Sequence, residues 1–249
     1  MRITPQAMSA VPLLCILNGG CSGLFHSSAR PEQTYYLRAP PAAAREEVPT
    51  AARGDPGSPP ALAASLRVGH PQADPGLDSS HIMLVQADHR MNFYAGSRWP
   101  GPTADVIEAL AVETLRASGA WRSVEDSTSP FPSDYLLQVA VRRFEADYTA
   151  GGTVPEVHVT LDCIIGRREG RDVVATFVAS GAALATANRL SEVVSAFEQA
   201  TGAALGSLSQ QAQQVVRAVA ERAAAERAAV ERAPQKEDSP TPSISRQSQ

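Results

Sequence analysis

Val157-His158-Val159-Thr160-Leu161-Asp162-Cys163-Ile164-Ile165 is the stretch that decides the fold. Val157, Val159, Leu161, Cys163 and Ile165 fall on one side of an extended chain, and His158, Thr160, Asp162 and Ile164 on the other. Period-two alternation built on branched residues is the pattern of a strand with at least one buried face. The same period recurs on both sides. Leu137, Val139 and Val141 alternate with Gln138, Ala140 and Arg142; Val173, Ala175, Phe177 and Ala179 alternate with Val174, Thr176, Val178 and Ser180. The links 148–155 and 167–171 are short enough to close antiparallel hairpins.

Further upstream, Leu66 and Val68 suggest a strand ahead of a proline-bounded turn at 71–75. Residues 81–85 and 91–94 read as two short strands paired across the polar link 86–90. Pro102 and the Thr103 hydroxyl suit the start of a helix running to about Ala117. Val106, Ile107, Leu110, Ala111 and Leu115 form its apolar face, and Gly119 stops it. Trp121 and Val124 open another extended segment.

Downstream, a long helix is expected from a cap near Asn188. Leu190, Val193, Phe197, Ala200, Ala204 and Leu208 recur at three- and four-residue spacing, a stripe to lay on the sheet. From Ala218 the pattern becomes a Glu-Arg-Ala repeat (Glu221-Arg222, Glu226-Arg227, Glu231-Arg232) that suits a solvated helix rather than a core face. Pro234 ends it, and a Ser/Pro/Gln tail is expected to be disordered. These signals together predict an α/β fold: a mixed, largely antiparallel sheet with packed helices, in a single domain with a long C-terminal helix and a disordered tail.

The chain has 249 residues, 43% of them hydrophobic and 19% charged, and a formal net charge of −4. That suits one medium domain with flanking segments. The acidic balance gives no support for nucleic acid, whose phosphate backbone demands a basic face. No apolar stretch reaches the length of about 18 residues or more that a transmembrane helix needs.

The N-terminus carries a different message. Arg2, the apolar run Val11-Pro12-Leu13-Leu14-Cys15-Ile16-Leu17 and the small residues Gly19-Gly20 describe an export signal ending before Cys21. Cys directly after the cut is the mark of a bacterial lipoprotein, and so lipidation is expected at Cys21. A full lipobox has Leu three residues before the Cys; here that position is Asn18, with Leu17 one further back. An ordinary signal peptide with a chance Cys is the alternative. A segment dominated by Pro, Ala, Gly, Arg and Glu at 40–60 follows and reads as a flexible tether. Of the three cysteines only Cys163 would then remain free in the domain, with no disulfide framework. Its place among Val157, Val159 and Leu161 predicts a small buried apolar residue.

No catalytic or metal-binding set emerges. The five histidines include no His-x-x-x-His pair, and neither a phosphate loop nor a Gly-x-Ser-x-Gly elbow is present. His81 and His89 on either side of Asp88, and the adjacent Glu125-Asp126, read as hairpin and loop residues. No metal and no cofactor are expected, and the chain reads as a binding or scaffolding protein rather than an enzyme. One cluster stands out: Phe93, Tyr94, Arg98 and Trp99 lie within seven residues. Aromatic and Arg side chains are enriched in interface centres, which makes these four a candidate partner-binding set. The other reading is that Trp99 and Tyr94 seal an edge of the core.

These residues in this order resemble the ABC-type transport auxiliary lipoproteins, a family that includes PqiC-like proteins. The resemblance runs from about Tyr35 to Val216. It rests on Tyr35-Tyr36-Leu37 after the Cys, Asn92-Phe93-Tyr94 leading to Arg98-Trp99, and the helix end Leu115-Arg116-Ala117-Ser118-Gly119. Asp134-Tyr135-Leu136-Leu137, Arg143-Phe144-Glu145 and the later Val193, Val194, Ala196 and Phe197 complete it. Two departures are Pro100-Gly101-Pro102 after Trp99 and the Glu-Arg-Ala extension.

The resemblance implies an outer-membrane lipoprotein facing the periplasm, held by its lipid. It would work beside an ABC transporter complex and an Mce-type substrate-binding protein that move phospholipids or other hydrophobic molecules, with homo-oligomers possible. The alternative is a periplasmic carrier that itself binds a lipid or small apolar ligand. The expected division is a signal peptide at 1–20, an anchored segment and tether at 21–61, the family domain at 62–217, and the charged extension and tail at 218–249.

Overall fold

The computed structural model describes residues 32–39 and 62–232. Cys21, the export signal, the tether at 40–60, Pro234 and the tail lie outside the described residues. The strands are β1 (Gln33–Thr34), β2 (Leu62–Val68), β3 (Gln72–Ala73), β4 (His81–Val85), β5 (Met91–Arg98), β6 (Trp121–Glu125), β7 (Tyr135–Asp147), β8 (Glu156–Arg167) and β9 (Val173–Leu184). The helices are α1 (Thr103–Ala117) and α2 (Leu190–Arg232). The result is an α/β domain with a mixed sheet, as the alternation predicts.

β7 organises the sheet. Its 13 residues span about 40 Å at the usual rise of a strand, long enough to serve several partners. One edge pairs antiparallel with β8 along its whole length, from Tyr135 opposite Arg167 to Asp147 opposite Glu156. The other edge is shared by three strands that run parallel to it: β2 near Leu137, β3 at Ala140–Val141 and β4 at Ala146–Asp147. β9 continues the sheet beyond β8, β6 lies beside β2, and β5 followed by β1 extends it from β4. The two longest pairs, β7 with β8 and β8 with β9, are antiparallel.

A bulge in β7 sets the faces. Val141 pairs with Leu161, yet Arg143 pairs with Thr160, so Arg142 is the inserted residue. Before the bulge the odd positions Leu137, Val139 and Val141 are buried; after it Phe144 and Ala146 are. Arg142 and Arg143 therefore both point away from the core. Arg142 bridges Asp74 and Asp162 at 2.7 Å each, and Arg143 reaches Glu145 at 2.6 Å and Asp147 at 2.8 Å.

Both helices cover the core face, with α2 lying across β8 and β9 and touching α1. α1 has the expected bounds but a different start. The Thr103 hydroxyl donates to the Ser79 carbonyl (3.1 Å) and makes no cap, while Val106 N–H donates to the Pro102 carbonyl. Gly119 takes the left-handed φ of +60° that ends the helix. α2 begins two residues beyond Asn188, whose side chain is engaged elsewhere. It buries Val193, Phe197, Ala200, Ala204, Leu208 and Val216; none of its residues after Val216 is buried, which agrees with the solvated reading of the Glu-Arg-Ala repeat.

The helix sits close to the sheet because Gly181 has no side chain. A Cβ at that position would overlap the Ala200 carbonyl oxygen and lie 2.9 Å from Ala203 Cβ and Ala204 N. Gln211 Nε2 also donates to the Val178 carbonyl of β9 at 3.1 Å. Gly181→Ala must push α2 outward, and overpacking of this kind costs about 1–3 kcal/mol. Thermal unfolding should show a midpoint several degrees below the parent; an unchanged midpoint would mean that α2 does not rest on β9 as described.

The domain also reaches back beyond the expected start at Leu62. Gln33 and Thr34 pair with Ser97 and Arg98 of β5, and Leu37 is buried in the core. Tyr35-Tyr36-Leu37, ahead of the expected tether at 40–60, is thus part of the fold.

Candidate functional site

The four residues singled out on β5 and directly after it do not share a face. Met83 pairs with Phe93 but His81 pairs with Arg98, so residues 94–97 form an irregular insert in the ladder. Gly96 holds a φ of +68° there, and the Ser97 hydroxyl donates to the Tyr94 carbonyl at 2.8 Å. This kink re-aims everything after it.

Trp99 is 0% exposed. Its ring packs against Phe144 (centroids 5.8 Å) and edge-on against Phe197 (5.2 Å), while Phe144 and Phe197 are 5.1 Å apart. Of the two readings open for Trp99, the core reading is the one that the structure shows. It cannot offer its ring to a partner on the folded surface.

Tyr94 is half-buried and does a structural task. Tyr148 OH donates to Asn188 Oδ1 at 2.8 Å, so the 2.9 Å contact between the Tyr94 and Tyr148 hydroxyls has Tyr94 as donor. Burial and that hydrogen bond raise the Tyr94 pKa well above the usual tyrosine value. The chain of three side chains ties β5 to the loop before α2, and it explains why Asn188 does not cap the helix.

Phe93 and Arg98 remain outward. Phe93 is 47% exposed and stacks on the His81 ring with centroids 4.4 Å apart; its neighbour Met91 is 49% exposed. Arg98 pairs with Glu32 at 3.3 Å, beside β1. Phe93, Met91 and Arg98 are the surface members of this region.

The remaining sequence candidates fall into quiet places. Cys163 is buried, and burial pushes its thiol up to about 12, far from the range of a reactive thiolate. His89 occupies the turn between β4 and β5 with a φ of 64°. Glu125 accepts a hydrogen bond from the Ser129 hydroxyl (3.1 Å), and Asp126 accepts from the Thr128 backbone and hydroxyl. Among the described residues no group of His, Cys, Asp and Glu is arranged to hold a metal ion. No described helix is long and apolar enough to cross a membrane.

Sequence reasoning missed two recesses at the end of the sheet where β2, β6 and the β8–β9 turn meet. One, of about 490 Å³, is lined by Arg67, Leu136, Ile164, Arg168 and Arg171 among others. The other, of about 830 Å³, lies between the far part of α2 (Val216, Val219, Ala220, Ala223) and Leu62 and Tyr135. The two share Ser133, Arg167 and Arg168. The doublet Arg167-Arg168 followed by Arg171 was the available signal, and a linker reading conceals it.

The comparisons with known proteins bear on this geometry. The model of a family described as ABC-type transport auxiliary lipoprotein component matches residues 47–220. The chain belongs to that family. The match takes in β2 to β9, α1 and most of α2, and it ends where the Glu-Arg-Ala repeat begins, so Glu221 to Arg232 of α2 lie outside the auxiliary-lipoprotein match. The comparison with curated proteins returned no match. Among solved structures, protein XCC0632 from Xanthomonas campestris aligns with a TM-score of 0.62 and 22% identity, over 78% of this chain and 99% of its own. That likeness supports the fold. An uncharacterised protein gives 0.48 and 14% identity, over 64% and 94% of the two chains. A PelC dodecamer from Paraburkholderia phytofirmans gives 0.34 and 17% identity, over 59% and 92%.

Proposed function

We propose that this chain is a non-catalytic accessory subunit of an ABC transport system, anchored by lipid at Cys21 to the periplasmic face of the outer membrane. It would work beside an Mce-type substrate-binding protein in moving phospholipids or other hydrophobic molecules between membranes. The observation that carries this reading is the family match, which spans the strands and helices that build the core. The architecture agrees with a docking role: the helices occupy one face of the sheet, and β5 presents Phe93 and Arg98 outward. Exposed aromatic and arginine side chains on a rigid strand are the type of anchor that carries interface energy.

The test is co-purification from membranes of cells that make the protein. A tagged parent chain should bring down an ABC permease and an Mce-type protein after mild cross-linking. A Phe93→Ala/Arg98→Ala double variant, altered only at the surface, should recover several-fold less of them. Recovery of no transporter subunit with the parent contradicts the proposal, and equal recovery with the double variant removes β5 as the contact.

A further inference from the structure

Arginines in the strands of this sheet follow a rule with one exception. Arg98, Arg122, Arg142, Arg143 and Arg167 each pair with a carboxylate. Arg67 on β2 does not. One of its terminal nitrogens donates to the Phe131 carbonyl, and its Nε is buried with no hydrogen-bond partner among the described residues. Arg168 and Arg171, on the β8–β9 turn beside it, are exposed and also have no carboxylate partner among the described residues. The recess of about 490 Å³ thus holds four guanidiniums against a single carboxylate, Asp172, which Arg167 already engages at 3.0 Å. In a chain with net charge −4, this is a local excess of unpaired positive charge.

The neighbouring recess sets an apolar wall beside further charged residues, Arg122, Arg227, Asp134 and Glu169 among them. Val216, Val219, Ala220 and Ala223 of α2 form one wall, and Leu62 and Tyr135 the other, around about 830 Å³. That volume is in the range of small-molecule sites, which combine an apolar wall with a few polar groups. Two acids lie at its rim: Asp134 accepts from the Ser65 backbone N–H (2.7 Å), the Ser65 hydroxyl (2.8 Å) and Arg122 (2.8 Å), while Glu169 is exposed on the β8–β9 turn between Arg168 and Arg171. Arg168 and Ser133 line both recesses, so a ligand with a charged head and an apolar body could occupy both at once.

We infer that this paired recess is a binding site for an anionic amphiphile: its phosphate or carboxylate head lies among Arg67, Arg168 and Arg171, and its tail lies along the Val216–Ala223 face of α2. Charge-assisted hydrogen bonds from guanidinium to such oxyanions are strong and can be bidentate. The assignment also gives α2 beyond its last buried residue a task, since Val219, Ala220 and Ala223 are the cleft wall. It stands apart from the transporter reading, because the isolated chain suffices to test it and its failure leaves that reading untouched.

The test is titration calorimetry on the full chain in a Cys21→Ala background, purified without detergent, with dodecyl phosphate below its micellar concentration. Saturable one-to-one binding is expected, weakened at least tenfold by Arg168→Gln/Arg171→Gln. Ala220→Trp, at an exposed position on the wall, should weaken it comparably by filling the cleft. Inorganic phosphate (head alone) and dodecyl maltoside (tail with a neutral head) should both bind at least tenfold more weakly. Absence of saturable binding, parent-like affinity in either variant, or equal affinity for either control overturns the inference. Binding to phosphatidylglycerol vesicles without binding of monomeric dodecyl phosphate also overturns it, and marks the arginines as a membrane-surface patch.

Discussion

Trp99→Ala is expected to lower the unfolding free energy by about 3–5 kcal/mol, the usual cost of deleting a large buried aromatic side chain. Phe93→Ala, six residues earlier, should cost about 1 kcal/mol or less, because a half-exposed ring loses little burial. The contrast follows from the kink at 94–97, which sends Trp99 into the cluster with Phe144 and Phe197 and leaves Phe93 on the surface against His81. In a domain of this size each 1 kcal/mol lowers the thermal midpoint by about 2–4 °C. The alanine variant should therefore melt roughly 6–20 °C below the parent. Trp99→Phe should be much milder, since the indole N–H finds no hydrogen-bond partner among the described residues and only volume is lost. A small effect of Trp99→Ala together with a large effect of Phe93→Ala would reverse the placement of the two rings.

The second large effect concerns location. If Cys21 carries the anchor, Cys21→Ala should move the protein from the membrane pellet to the soluble fraction. Each buried CH₂ of an acyl chain contributes about 0.8 kcal/mol, and one chain alone gives only reversible attachment. A diacylated cysteine supplies more than one chain, so loss of the thiol removes nearly all of the membrane affinity. The folded domain itself should be unaffected, with an unchanged thermal midpoint. A variant that pellets as firmly as the parent would place the anchor elsewhere.

Local signals explain most of what the sequence revealed. The alternation over 157–165 and 137–141 identified strands because branched residues on one face need burial whatever the partner. The bounds of α1 were legible because Pro102 and Gly119 punctuate it. The parallel neighbours of β7 were not legible, since β2, β3 and β4 join it through contacts far apart in sequence. The bulge at Arg142 was hidden too: an arginine doublet fits either face until the ladder with β8 shows which residue is inserted.

The site was harder to read than the fold for a physical reason. An aromatic residue such as Trp99 suits a core or an interface equally well, and only the conformation of residues 94–97 decides between them. Asn188 looked like a cap because Asn caps helices, yet the Tyr148 hydroxyl engages it first. Arg67, Arg168 and Arg171 come together only through the fold, being drawn from β2 and a turn about a hundred residues later in the chain.

Intact mass spectrometry of the mature protein, extracted from membranes, tests the lipoprotein assignment most directly. The account predicts a chain that begins at Cys21 and carries the added mass of a diacylglycerol, with or without a third acyl chain. A mature chain that begins elsewhere, or that begins at Cys21 with a free thiol, would contradict it.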